Sequence, residues 1–282
     1  MEYPVDLHLH TTASDGSQTP AQLLESIRAA GLQIFSVTDH DTLDGALEMA
    51  AIVPEDLRYI MGIEISCITP AGKCHILGYG FDPHHPAIQD ILAREIQLRR
   101  EKVKRRIAFL EARFGIRLTK EESQWLYGLT TPLKLHFGIL LRDRGLAPDI
   151  GTAITQYMDL CDVGNDRIDA DFAIRGILQA GGIPVWAHPL GGENEPHLTQ
   201  TAFDAQLVCL KAAGIQAMEC YYSRYSQADI GYLLEKARSH SLLISGGSDY
   251  HGNNKPDLFP GKLNTEEMPV SPDSLTILQV CK

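Results

Sequence analysis

Residues 5–16 read Val5-Asp6-Leu7-His8-Leu9-His10-Thr11-Thr12-Ala13-Ser14-Asp15-Gly16. From Val5 to His10 apolar and polar residues alternate, the period of a strand with one filled face. Side chains repeat every second residue along a strand, so His8 and His10 point the same way. Two imidazoles that close on a rigid strand can clamp a borderline metal ion. Asp15 follows in a turn marked by Ser14 and Gly16, where it can add an oxygen ligand. Taken alone, His-x-His equally describes two polar residues on a solvated strand face. The rest of the chain decides between the two.

Thr19-Pro20-Ala21-Gln22 opens a helix, with Thr at the N-cap, Pro at the first helical position and Gln closing a capping box; Gly31 ends it. A strand over residues 33–39 leads into Thr38-Asp39-His40-Asp41, and a helix runs from about Leu43 to Ile52. A third strand, 57–66, carries Glu64 near its end, and a fourth, 74–80, carries His75 near its start. Strands alternating with helices predict a parallel sheet or barrel. The rhythm breaks after residue 82. Helical pattern alone follows, with a long helix over about 86–113 and another from Thr131 to Arg144. Residues 86–164 are therefore expected to form a helical insertion, a cap, within a barrel made of 1–85 and 165–282. The α/β rhythm returns with a strand ending at His188-Pro189, a strand over 216–222, a capped helix from Ser226 and a strand entering Gly247-Ser248-Asp249-Tyr250-His251.

Most of these strands finish on a His, Asp or Glu. In a parallel barrel the C-terminal strand ends meet at one rim, where chemistry gathers. Six histidines and three carboxylates at one rim are hard to explain as packing, because burying them uncompensated costs several kcal/mol. Divalent cations are the natural partner. Each element has a plainer alternative. His75 could be a hydrogen-bonded core histidine, His188-Pro189 a strand-to-turn junction, and Asp249-x-His251 an Asx-turn. Asp39 and Asp41 could cap the next helix.

Together, His8-x-His10, Asp15-Gly16, Thr38-Asp39-His40-Asp41, Gly62-Ile63-Glu64-Ile65-Ser66, His75-Ile76-Leu77-Gly78, Ala187-His188-Pro189 and Gly247-Ser248-Asp249-Tyr250-His251 resemble the PHP (polymerase and histidinol phosphatase) domain. Within that family the chain is most similar to bacterial phosphoesterases with a helical insertion, the nucleoside 3′,5′-bisphosphate phosphatases and 5′-to-3′ exoribonucleases. The resemblance implies a distorted seven-stranded (β/α) barrel and a trinuclear centre. One metal would take His8, His10, Glu64 and Asp249. A second would share Glu64 and add His75 and His188, and the third would take Asp15, His40 and His251. Imidazole and carboxylate ligands without thiolate suit two to three divalent ions of Mn, Fe or Zn. The implied reaction is hydrolysis of a phosphate monoester or terminal phosphodiester through a hydroxide bridged between metals. Its chemistry rests on Glu64, Asp249 and His188, with Glu64 and Asp249 acting as ligands rather than as general acid or base.

Substrate contacts are looser. His136 in Lys134-Leu135-His136-Phe137 resembles a histidine in the relatives' cap, where an arginine usually stands two residues earlier; here it is Lys134. Lysine lacks the planar fork of arginine. His136 could equally be a packed residue of the cap. Arg224 could reach substrate or hold a rim ion pair. Seven cations between Arg94 and Arg106 could line a path for short single-stranded RNA or form a solvated helix face.

A net charge of −11 argues against broad, sequence-independent duplex binding but leaves a small phosphorylated substrate open, since metals reverse the local field. No apolar run reaches the roughly 20 residues of a membrane span, and no signal peptide is read. The six cysteines form no Cys-x-x-Cys pair and are expected to be reduced, in a cytoplasmic protein. The sequence therefore predicts a nucleotide phosphoesterase. A histidinol-phosphate-type phosphatase and a non-catalytic scaffold binding a polymerase are the rival readings, and no oligomeric state is implied.

Overall fold

A computed structural model describes residues 4–129, 132–164, 167–192 and 197–281. The chain forms two compact units, residues 1–91 with 168–282, and residues 92–167.

The first unit is an α/β barrel. Its sheet runs β1 (Val5–Leu9), β2 (Ile34–Val37), β3 (Arg58–Thr69), β4 (Gly72–Tyr79), β6 (Ile183–Trp186), β7 (Ala217–Tyr222) and β8 (Leu243–Gly247). A two-residue strand, β5 (Ile168–Asp169), pairs with β3 off this path. The ring is drawn together where β1 meets the end of β8: Asp249 N–H donates to the His8 carbonyl at 2.9 Å and His10 N–H to that of Tyr250 at 3.0 Å. Gly247 permits this approach, since a Cβ there would stand 2.1 Å from that of His8.

The sheet is not parallel throughout. β3 and β4 form an antiparallel hairpin closed by Pro70 and Ala71, and β4 is also antiparallel to β6. A two-residue connection can join only antiparallel strands. The reversal places the start of β4, and with it His75, at the rim where the parallel strands end.

Helices α1 (Pro20–Ala30), α2 (Asp44–Ile52), α7 (Ala170–Gln179), α8 (Gln200–Ala213) and α9 (Gln227–Ser239) accompany the strands. The capping box expected at Thr19 is present, with the Thr19 side chain accepting from Gln22 N–H. Val5, Leu7, Leu77, Tyr79, Val185 and Ala217 share one buried cluster. Leu9, Phe35 and Val37 pack with Leu23 and Ile27 of α1 and Met49 of α2 in another. Asp41 does not cap α2, whose N-cap Leu43 makes no side-chain bond; its carboxylate instead accepts from Ser66 N–H of β3 at 2.5 Å. Residues 272–279 form two short 3₁₀ turns, Pro272–Ser274 and Thr276–Gln279.

The second unit is helical: most of α3 (Pro86–Phe114), then α4 (Lys120–Gly128), α5 (Lys134–Asp143), α6 (Ile150–Ala153) and one π-helical turn, Ile154–Met158. Thr131, the expected start of α5, lies outside the described residues. Val103, Leu110, Leu126, Phe137 and Leu141 form this unit's own core. The basic stretch of α3 is not one face. Arg99 and Arg106 are buried, on the side that carries Val103 and Leu110, and Arg106 lies over the Phe137 ring. Arg94, Arg100, Lys104 and Arg105 are exposed.

Candidate metal centre

The strands and the loops that follow them bring together all nine expected side chains. His8 and His10 leave β1 fully buried, with ring centroids 5.1 Å apart. His40 follows β2, Glu64 lies within β3, His75 lies in the first half of β4, His188 follows β6, and Asp249 and His251 follow β8. Asp15 comes from the loop after β1. That loop is tied down by Asp39, whose carboxylate accepts from Thr11 N–H (2.7 Å), Thr11 Oγ1 (2.7 Å) and Ser14 Oγ (2.6 Å).

Three sets of ligand-type atoms each fall within 4.8 Å of one another: His8, His10, Glu64 and Asp249; His10, Asp15, His40 and His251; and His40, Glu64 and His75. Glu64 sits at the middle. Its Oε2 lies 3.2 Å from His8 Nε2, 3.4 Å from His10 Nε2 and 3.0 Å from His40 Nδ1. Its Oε1 lies 2.9 Å from His75 Nδ1 and 3.0 Å from His188 Nε2. His188 lies beside Glu64 and His75, although the set of mutually close ligand atoms there is His40, Glu64 and His75. Asp249 Oδ1 lies 3.2 Å from His10 Nε2, and His251 Nε2 lies 3.1 Å from Asp15 Oδ1.

The backbone is strained where these groups gather. Asp41, His188 and Asp249 hold positive φ of 53°, 27° and 58°. Such conformations cost of order 1–3 kcal/mol each and persist where the surroundings over-determine them.

These residues fit a cluster of divalent cations. His8 Nε2, both ring nitrogens of His10 and Glu64 Oε2 are buried and make no hydrogen bond among the described residues. They approach one another without bonding pairwise, converging on shared points as ligand atoms do. Charge agrees. Burial, the largest influence on each, would raise Glu64, Asp15 and Asp249, but neighbouring imidazoles, preceded at Asp249 by Lys255, together hold all three well below the usual carboxylate range. Burial opposes charge on His8, His188 and His251 too, yet the carboxylates around them win and raise all three. His10 goes the other way, to about 3, because burial and the adjacent His251 both disfavour its cation.

Residues 6–159 match the PHP domain. The chain belongs to the PHP domain family. Membership makes it a metal-dependent phosphoesterase. This PHP chain is 28% identical over 269 residues to the 3′,5′-nucleoside bisphosphate phosphatase of Chromobacterium violaceum, covering 94% of this chain and 92% of that one. It is 30% identical over 256 residues to the 5′-3′ exoribonuclease of Haemophilus influenzae, covering 87% and 89%. A solved structure of an amidohydrolase from Chromobacterium violaceum, with bound sulfate and no metal, superposes with a TM-score of 0.80 at 27% identity, covering 98% of this chain and 95% of the other. No helix among the described residues is long and apolar enough to cross a membrane.

The PHP rim also holds groups that the sequence reading passed over. Glu219, fully buried in β7, accepts from His8 Nδ1 at 2.9 Å and from His188 N–H at 2.7 Å. The registers of β1 and β7 slip between Asp6 and Leu9 and between Glu219 and Tyr221, so irregularities flank both members of the His8–Glu219 pair. A lone carboxylate in the apolar run 217–222 was the available signal. Lys255 Nζ and Tyr222 OH both donate to Asp249 Oδ2, at 2.7 and 3.0 Å. Nothing in the sequence marks these two. Asp6 accepts from the N–H groups of His8, Ser248 and Gly261, yet burial still raises it to about 6.

The three expected substrate contacts are engaged within their own units. Lys134 Nζ pairs with Asp159 at 2.6 Å, and His136 Nδ1 accepts from Leu133 N–H at 3.0 Å. Arg224 pairs with Asp257.

Proposed function

We propose that His8, His10, Asp15, His40, Glu64, His75, His188, Asp249 and His251 hold two to three divalent ions of Mn, Fe or Zn. The enzyme then hydrolyses phosphate monoesters of nucleotides, 3′,5′-bisphosphate nucleotides above all, and removes 5′-terminal nucleotides from short RNA. The observation that carries this reading is the buried convergence of ligand-type atoms around Glu64, of which His8 Nε2, both ring nitrogens of His10 and Glu64 Oε2 make no hydrogen bond among the described residues. The activities named for the two relatives support the substrate class.

Bound there, the ions would clamp phosphoryl oxygens as Lewis acids and lower the pKa of water. The chain prepares the site for them. The Glu219 carboxylate can only accept, so it fixes the proton on His8 Nδ1 and leaves Nε2 as the ligand atom. The Asp249 carbonyl, 2.7 Å from His251 Nδ1, does the same for that ring. Lys255 and Tyr222 occupy Asp249 Oδ2 and leave Oδ1 facing the β1 histidines. Glu64 turns one oxygen to each side of the cluster.

Turnover of adenosine 3′,5′-bisphosphate and of histidinol phosphate by the Mn-loaded enzyme, side by side, tests the reading. The nucleotide is expected to be hydrolysed and the amino alcohol phosphate left intact, with Asp249→Asn inactive on both. Preference for histidinol phosphate, or no activity on any phosphate ester by fully metal-loaded protein, would overturn it.

A further inference from the structure

Beside the rim, the loops after β7 and β8 enclose a cavity of about 210 Å³ lined by Ser223, Arg224, Asp257, Phe259, Lys262 and Thr265, among others. Both walls begin next to the metal cluster. Ser223 follows Tyr222, whose hydroxyl touches Asp249, and Asp257 stands two residues past Lys255, whose ammonium touches the same carboxylate. The second wall is pinned: Gly261 N–H donates to Asp6 Oδ2 at 2.7 Å, and Thr265 N–H to the Tyr225 carbonyl at 3.1 Å. The cavity is therefore a built feature of the barrel's chemical end.

Its charges cancel in pairs. Arg224 pairs with Asp257, and Lys262 with Glu267 at 2.6 Å. A second phosphate would have to break these pairs to gain a cation. What the cavity offers instead is an aromatic face and a hydrogen-bonding hydroxyl. Phe259 is 47% exposed. Lys262 Nζ lies 4.4 Å from its ring centroid, and an exposed ring of this kind can stack on a flat partner. Ser223 is 8% exposed, and its hydroxyl makes no hydrogen bond among the described residues. A buried polar group in that state wants a ligand. A flat, uncharged, hydrogen-bonding group fits this chemistry, and a phosphate does not.

We infer that this cavity is a nucleobase subsite, in which the base stacks on Phe259 and bonds the Ser223 hydroxyl while the phosphate occupies the metal cluster. The inference deepens the nucleotide reading, and its test is independent of turnover. Calorimetry on the Zn-loaded enzyme compares binding of adenosine 5′-monophosphate with that of ribose 5-phosphate, which lacks the base. The wild type is expected to favour the nucleotide by roughly tenfold or more, the worth of one stacked base. Phe259→Ala should erase that preference without changing the affinity for ribose 5-phosphate. Phe259→Trp should keep it, and Phe259→Leu, which retains apolar bulk without a π-face, should lose most of it. Ser223→Ala should weaken the nucleotide alone. If the wild type shows no preference, or if Phe259→Ala leaves the preference intact or weakens both ligands equally, the subsite is overturned. A base preference without hydrolysis of any nucleotide would sink the proposed function and leave the subsite standing.

Discussion

Glu219 illustrates how much of a metal site lies behind its ligands. It bonds His8 Nδ1 and the His188 N–H, and so sets the tautomer of that ring and anchors the strained backbone at His188. Outer carboxylates of this kind typically govern metal affinity by roughly 10- to 100-fold. Glu219→Gln is therefore expected to weaken metal binding by about that factor, read by competition with a fluorescent zinc chelator. Unchanged affinity would mean that the pair serves only packing. Protons compete for the same atoms. His8, His188 and His251 are raised, so they stay protonated to higher pH than free imidazole, and an imidazolium cannot ligate. Metal should accordingly be held at high pH and released as pH falls through these raised values. Loading near neutral pH should expel protons, which calorimetry in buffers of different ionisation enthalpy will detect. An affinity independent of pH would contradict this account.

Among the elements, the β3–β4 hairpin and α3 matter most. The hairpin runs its second strand backwards through an otherwise mostly parallel ring, so a residue at a strand start reaches the chemical rim. On α3 the inner positions Glu95, Arg99 and Arg106 are buried, and neutralising them would disturb packing rather than report on RNA. The RNA-path idea belongs to Arg94, Arg100 and Lys104, which are exposed. Replacing those three by Gln is expected to reduce activity on short 5′-phosphorylated RNA and flatten its salt dependence, with mononucleotide hydrolysis barely changed. Equal losses on both substrates would mean that the exposed cations are a solvated face and no more.

Across the whole molecule, the candidate ligands span the chain from His8 to His251, so a cation among them links the first strand to the last. An ion that binds only the folded state stabilises it by mass action, about 2.7 kcal/mol at a hundredfold excess over Kd. Chelation should lower Tm by several degrees and added Mn or Zn should restore it, in a differential scanning calorimetry titration. His10→Ala should shrink the metal-dependent rise, since His10 belongs to two of the three sets. A Tm indifferent to chelator would show that the cluster is not a shared ion site.

Local sequence pointed to the main strands, the capped helix after Thr19 and the polar residues in or just after those strands, because periodicity and capping act over a few residues. The grouping of His8, His10, Glu64 and Asp249 came from the resemblance to the PHP domain, not from any local pattern. The tertiary structure alone decided what depends on contacts between distant segments. Glu219 reaches His8 across 211 positions, and Lys255 matters only because the loop after β8 folds back on Asp249. The direction of β4 placed His75 at the rim, and the inward turn of α3 buried two of its arginines. Local patterns show which residues are polar and where a strand stops; only chain closure settles which of them meet.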